Sequence, residues 1–285
     1  MKTPAQAHYD AVMNIATESV RRAAPPAFGE HLRQWRQRRR LSQLDLAEEA
    51  EISTRHLSFV ETGRSLPSRE MVIRLAERLN VPLRERNALL VAAGYAPMYR
   101  ERALDDPALA AAREAVERIL KSHEPFPALA VDRHWNLVLA NRMAPMLMAG
   151  ADPSLLKPPV NVLRLSLHPR GITPKIANLG QWRNHLFERL RQQIEATGDG
   201  ILATLLQELR AYPAPAGNSA HLDGELLGVA MPLQFMTEHG VLSFISTTTI
   251  FGTPADVTLQ ELAMETFFPA DAATAQALRR LMPQD

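Results

Sequence analysis

Apolar residues recur at helical spacing through the first third of the chain, and further on the period changes to alternation. Residues 5–22 carry Val12, Met13, Ile15 and Val20 at mixed helical spacings before Pro25-Pro26 interrupts them. This reads as a helical extension over 1–27, either a dimerisation arm or a frayed end. From Phe28 the pattern sharpens. Phe28, Leu32 and Trp35 fall at i, i+4 and i+7 and predict a helix reaching Arg40. Ser42, three residues before Asp45, has the form of a capping box, opening a helix whose buried side is Leu44, Leu46 and Ala47. A break at Glu51-Ile52 follows. Ser53 then caps a short helix with Leu57 and Val60 inward, and Gly63 closes it. Pro67-Ser68 begin a fourth helix (Met71, Val72, Leu75, Leu79), and Pro82 a fifth (Leu83, Leu89, Leu90, Val91). Five short helices in about 70 residues predict a compact all-α bundle over 28–98. The second and third, joined by a tight turn, have the geometry of a helix-turn-helix.

Past Gly94-Tyr95-Ala96-Pro97, residues 103–121 place Val116, Ile119 and Leu120 on one stripe, which predicts a connecting helix within a linker at 99–122. Alternation then predicts strands at 128–132 and 135–140 around a turn at Arg133-His134. Residues 141–148 return to helical character, and a Pro-rich loop follows (Pro153, Pro158, Pro159). Amphipathic helices are expected at 179–196 (Trp182, Leu186, Leu190, Ile194) and 201–211 (Leu202, Leu205, Leu206, Leu209). After a loop at 212–224, two further strands at 226–236 and 241–251 flank Thr237-Glu238-His239-Gly240 as a hairpin. Residues 256–267 read as a last helix, ended by Phe267-Phe268-Pro269. The domain at 123–285 is therefore expected to pack helices on one side of a small antiparallel sheet, with room for an apolar cavity between them. The fold class is α+β.

Composition narrows the chemistry. The 285 residues are 46% hydrophobic and 22% charged, as in ordinary globular proteins. No apolar run reaches the length of a membrane span, and the polar first residues do not resemble a secretion signal. The absence of cysteine excludes disulfides, thiol nucleophiles and cysteine-ligated metals, and fits a cytoplasmic location. The net charge of +1 hides an asymmetry: residues 28–102 carry 14 Lys and Arg against 10 Asp and Glu, residues 103–285 carry 15 against 19. Two halves of opposite sign suggest different partners. Five arginines within 33–40 (Arg33, Arg36, Arg38, Arg39, Arg40) form either a solvated face or a phosphate-gripping one; Arg38 and Arg39 are the candidates for DNA phosphate. Signs of catalysis are few. Ser154 and Lys157 match S-x-x-K without the motifs that accompany it, and His185 and Glu188 share a helix face without a third metal ligand. Neither an enzyme nor a metal or cofactor site is expected.

The segment 41–68, LSQLDLAEEAEISTRHLSFVETGRSLPS, resembles the Cro/C1-type (XRE-family) helix-turn-helix regulators. The marks are Leu41-Ser42-Gln43, Leu46-Ala47, Ile52-Ser53, Leu57-Ser58, Glu61-Thr62-Gly63-Arg64 and Pro67-Ser68. Glu51 departs from the pattern, since glycine is common there; a left-handed Glu51 would cost about 1 kcal/mol. The resemblance implies double-stranded DNA as partner, read by a homodimer. Gln43 would then reach a phosphate or an adenine edge, and Ser53, Thr54, Arg55 and Ser58 would face the bases, with Arg55 suited to guanine O6 and N7. Phe59 would touch a thymine methyl or pack on the first helix, His56 would cap or meet phosphate, and Arg64 would hold a phosphate. Glu61 is expected to bond backbone or arginine within the bundle.

The C-terminal series Ala130-Val131-Asp132-Arg133-His134-Trp135-Asn136, Asn141-Arg142, His168-Pro169, Trp182-Arg183 and Phe251-Gly252-Thr253-Pro254-Ala255-Asp256-Val257-Thr258-Leu259 resembles the ligand-binding domain of MmyB-like transcription regulators over 103–275. That resemblance implies a PAS-like domain, a five-stranded antiparallel sheet with flanking helices, and a fatty-acid-like or other lipophilic effector. A carboxylate head would require a cation or hydrogen-bond donor from Asn141, Arg142, His168, Trp182 or Arg189. Leu137, Leu139, Leu186, Phe187, Phe235 and Phe244 are either cavity walls or plain core. The expected function is a sequence-specific transcription regulator tuned by a small molecule. The competing expectation is a helix-turn-helix protein whose C-terminal half serves only dimerisation or protein contacts.

Overall fold

The computed structural model describes residues 27–213, 231–238 and 240–282. The extension expected over 1–27 and the first part of the strand expected at 226–236 lie almost wholly outside the described residues. The chain divides into two compact units, one ending at Tyr99 and the other beginning at Arg100.

The first unit is the expected five-helix bundle: α1 (Phe28–Arg38), α2 (Gln43–Glu49), α3 (Thr54–Glu61), α4 (Arg69–Arg78) and α5 (Leu83–Ala92). Local chemistry sets its boundaries. The Ser42 hydroxyl accepts from the Asp45 amide while the Asp45 carboxylate accepts from the Ser42 amide, a closed capping box. Ser53 and Ser68 cap α3 and α4 by the hydroxyl half of that arrangement alone, accepting from the His56 and Met71 amides. Leu32, Trp35, Leu46, Leu57, Leu75 and Leu79 are wholly buried at the centre. Leu44, expected inside, is 54% exposed. It lies two residues from Leu46, hence about 200° around a helix of 3.6 residues per turn, and cannot share its face. Glu51 is left-handed at φ 56°, so the unfavourable geometry is present. Gly29 is needed for packing: a β-carbon there would fall 2.3 Å from the carbonyl oxygen of Glu61, so only glycine lets α1 approach the end of α3 this closely.

The second unit is α+β. Its sheet has β1 (Ala128–Val131), β2 (Leu137–Ala140), β3 (Pro232–Thr237), β4 (Gly240–Ile250) and β5 (Ala263–Pro269), all antiparallel in the order β2-β1-β5-β4-β3. Residues 263–269 correct the sequence reading. The helix expected at 256–267 is only α11 (Val257–Gln260), and the chain then forms the central strand. Pairing on both sides, Leu129 with Glu265 and Thr248 with Glu265, overrides a short apolar run that periodicity alone does not assign.

The alternation of β1 splits the second unit into two apolar layers. Ala128 and Ala130 share one apolar cluster with Val116 and Leu120 of α6 (Ala110–Ser122) and with Leu262 and Met264 at β5. The helix read as a connector is therefore a packed layer of this unit, and helices cover both faces of the sheet rather than one. Leu129 and Val131 face the main core, where α9 (Leu179–Thr197) and α10 (Gly200–Ala211) supply Trp182, Leu186, Leu190, Leu202 and Leu205. Two short helices, α7 (Ala144–Met148) and α8 (Val162–Leu167), complete that side, and α12 (Ala272–Leu281) closes the unit against β4 and β5.

Candidate functional site

The reading surface of the first unit is built on α3. Its start is fixed by the Ser53 hydroxyl, which accepts from the His56 amide at 3.1 Å. With Leu57 and Val60 anchored in the core, Ser53 and Arg55 are exposed and Thr54, His56, Ser58 and Phe59 half-buried. The Phe59 ring is shared by two cations, Arg55 at 5.4 Å and Arg64 at 6.0 Å from its centre. Each gains ring-face attraction while remaining at the surface, so Phe59 holds the two guanidinium groups beside one another. Arg38 is exposed, 5.0 Å over the Trp35 ring.

Two other members of the arginine cluster, Arg36 and Arg39, make contacts within the bundle. Arg36 is 8% exposed and bonds both oxygens of Glu61, at 2.6 and 2.9 Å, and the Leu41 carbonyl at 2.9 Å. The bond to Glu61 raises the Arg36 pKa further, against the opposing effect of burial. Gln43, expected to reach DNA, donates to Glu61 at 2.7 Å from a half-buried position. Arg39, expected on phosphate, donates to the carbonyls of Leu79 and Asn80 at 2.7 and 3.0 Å and caps the end of α4. The expectation that Glu61 bonds arginine within the bundle matches these contacts.

Inside the second unit, an apolar cavity of about 70 Å³ lies between the sheet and the helices. Leu129 and Leu233 wall it from the sheet, Leu147, Leu163 and Leu165 from the short helices, and Leu186 from α9. Its polar groups are few. The Trp182 indole donates to the Ser166 hydroxyl oxygen at 3.0 Å, both side chains lining the space. Arg189 grips Glu265 through two bonds of 2.7 and 3.1 Å and donates to Thr248 at 2.7 Å; Thr248 in turn donates to Glu265 at 2.8 Å. Trp135 stacks against Arg189 at 4.8 Å and donates its indole N–H to Gln193. Its backbone is left-handed at φ 67°, a conformation rare for a bulky side chain and held here by packing. Trp135, Arg189 and Glu265 also line an open cleft of about 370 Å³ with Asp132, Arg133 and Glu261. They form a partition between cavity and cleft. One turn before Arg189, the half-buried His185 has its pKa pushed down, first by burial and then by Arg189.

Of the candidate effector contacts, Trp182, Arg189 and Leu186 line the cavity. The others lie elsewhere. Asn141 is a junction: its oxygen accepts from the amides of Ala128, Met143 and Ala144, and its nitrogen donates to the Leu120 and Phe126 carbonyls. Arg142 pairs with Glu124 at 2.9 Å and lowers the pKa of that carboxyl. His168 accepts from the Arg170 amide and meets the Tyr212 ring edge-on. Phe187 sits under Arg183 and Arg210. Phe235 and Phe244 are fully buried core, and Leu139 packs in the layer under α6. Sequence reasoning missed Ser166 and Glu265 as site residues. Periodicity places Glu265 within a helix, and nothing in the sequence marks Ser166.

Two family descriptions match the chain. A helix-turn-helix domain matches residues 27–89, and the MmyB-like transcription regulator ligand binding domain matches residues 112–281. No curated protein matches it. No helix among the described residues is long and apolar enough to cross a membrane. The α3 surface and the cavity fall inside these two matched segments, and the chain is a DNA-binding transcription regulator that belongs to the family carrying the MmyB-like ligand-binding domain.

Proposed function

We propose that this chain binds double-stranded DNA with sequence specificity as a homodimer, and that a lipophilic small molecule in the C-terminal cavity modulates that binding. In this reading α3 enters the major groove, Arg55 meets base edges, and Arg38 and Arg64 meet phosphate. Two copies engage half-sites about 34–36 Å apart. The observation that carries the effector reading is the apolar cavity of about 70 Å³ in a domain of a ligand-binding family. The ligand acts only if it binds one protein arrangement better than another. Sites for drug-sized ligands are roughly 300–1,000 Å³, so a long fatty-acid-like chain would need the walls to part.

Immunoprecipitation of the protein with its genomic DNA tests the first half. Discrete enriched fragments are expected, and uniform background would refute it. Native mass spectrometry of gently purified protein, followed by operator titration before and after solvent extraction, tests the second. A bound small molecule whose removal changes operator affinity at least about fivefold is expected. Protein that is clean from the start and unchanged by extraction would instead favour a C-terminal half serving dimerisation alone.

A further inference from the structure

We infer that the corner at residues 251–259 is a latch that couples the second unit to the DNA-binding bundle through the chain itself. The peptide joining Tyr99 to Arg100 is its hinge. The inference rests on the DNA-binding reading above and does not depend on an effector.

The first ground is the corner, a motif that neither the DNA surface nor the cavity uses. Asp256 is 4% exposed and Val257 is wholly buried. The Asp256 carboxylate accepts from the Thr258 amide at 2.9 Å and starts α11. This corner holds the first residues of the second unit. The Val257 amide donates to the Arg100 carbonyl at 2.8 Å, and the Thr258 hydroxyl donates to the Arg102 carbonyl. The Arg102 guanidinium lies 3.5 Å from Asp256. Leu104 and Phe251 then pack against the apolar cluster that contains Leu262 and Met264.

The second ground is the last residues of the first unit. Asn87 of α5 holds them in three bonds. Its oxygen accepts from the Met98 and Tyr99 amides at 2.9 and 3.0 Å, and its nitrogen donates to the Tyr99 carbonyl at 2.7 Å. Arg86 donates to the Tyr99 hydroxyl at 3.3 Å. The carbonyls of Tyr99 and Arg100 are consecutive in the chain, and each is anchored in its own unit. Neighbouring Cα atoms across a trans peptide are about 3.8 Å apart, so the two anchors have no slack between them. A flexible linker of several residues would absorb motion of either unit, whereas one residue offers only two soft torsions.

The third ground is continuity with the cavity. α11 ends at Gln260 and β5 begins at Ala263, and Glu265 and Phe267 of β5 line the cavity. The corner thus joins the strand that walls the cavity to the chain that leads back to α5.

Coupling between sites is reciprocal, so DNA held by the bundle must change the latch. The Val257 amide reads the latch directly, because its hydrogen exchanges when the bond to Arg100 opens. The test uses the full chain, saturated with an operator fragment enriched by immunoprecipitation. Amide exchange is followed by mass spectrometry with residue-level fragmentation. Operator is expected to slow exchange at Val257 at least about fivefold. The Asp132 amide, bonded to the Asn136 carbonyl between β1 and β2, is the control and should not change. Two variants cut the coupling from different sides. Insertion of Gly-Ser-Gly-Ser between Tyr99 and Arg100 adds slack and alters none of the residues named here. Asn87→Ala releases Tyr99 and leaves the corner intact. In both, at saturating operator, the slowing at Val257 should disappear, and either variant alone decides the matter if the other folds poorly. No change at Val257 in the saturated wild-type chain, slowing that survives the insertion, or equal slowing at Asp132 overturns the inference while the DNA-binding reading stands. A chain that takes up no operator removes that reading and this inference with it.

Discussion

Replacing Glu61 by alanine tests how the reading helix is held. Glu61 closes α3, is 8% exposed, and accepts three short bonds, two from Arg36 and one from Gln43. Its removal leaves Arg36 with the single bond to the Leu41 carbonyl and a guanidinium buried without its counter-charge. Deleting one partner of a buried pair costs about 3–5 kcal/mol, a large part of the roughly 5–15 kcal/mol that stabilises a typical domain. Amide hydrogen exchange in α1 and α3 reads this directly. At about 1.4 kcal/mol per factor of ten, the slowest amides should exchange ~10²- to ~4 × 10³-fold faster. The double replacement Arg36→Met with Glu61→Leu removes both charges and fills similar volume, and should recover most of the loss. A loss below about 1 kcal/mol for Glu61→Ala, the range of exposed ion pairs, would refute the claim that this pair fixes the bundle.

Three further outcomes are expected. Arg55→Ala should flatten the difference between matched and scrambled operators, whereas Arg38→Ala should weaken both alike and reduce the salt slope by about one; titrations at several salt concentrations separate the two. Glu51→Gly should stabilise the bundle by about 1 kcal/mol, because the φ of 56° is unfavourable for any residue with a β-carbon; no gain in the urea midpoint would mean local contacts of Glu51 offset the strain. The Glu124 carboxyl, held below its ordinary range by Arg142, contributes stability that is full above the unfolded carboxylate pKa and lost as pH falls through the lowered folded value. Urea unfolding in acid should therefore show a pH dependence that Arg142→Gln diminishes, and an unchanged profile would assign the effect to other carboxyls.

The sequence by itself determined the bundle. Helix starts in that segment are written in short-range chemistry, with Ser42, Ser53 and Ser68 each accepting from an amide three residues on, and the inward leucines follow the helical period. The reading face of α3 is legible for the same reason, since burying Leu57 and Val60 leaves Arg55 outside. Only the tertiary structure decided the roles that depend on distant partners. Arg36 and Arg38 lie two residues apart and look alike in sequence, but Glu61, 25 positions from Arg36, takes the one and leaves the other at the surface. Residues 263–269 became the central strand because β1 and β4 pair with them from far along the chain. Gly29 is required by a carbonyl on another helix. Ser166, Trp182, Arg189 and Glu265 share one cavity although up to 99 residues separate them. Periodicity and capping act within a few residues of chain, whereas a cavity and a buried ion pair exist only once elements remote in sequence have packed together.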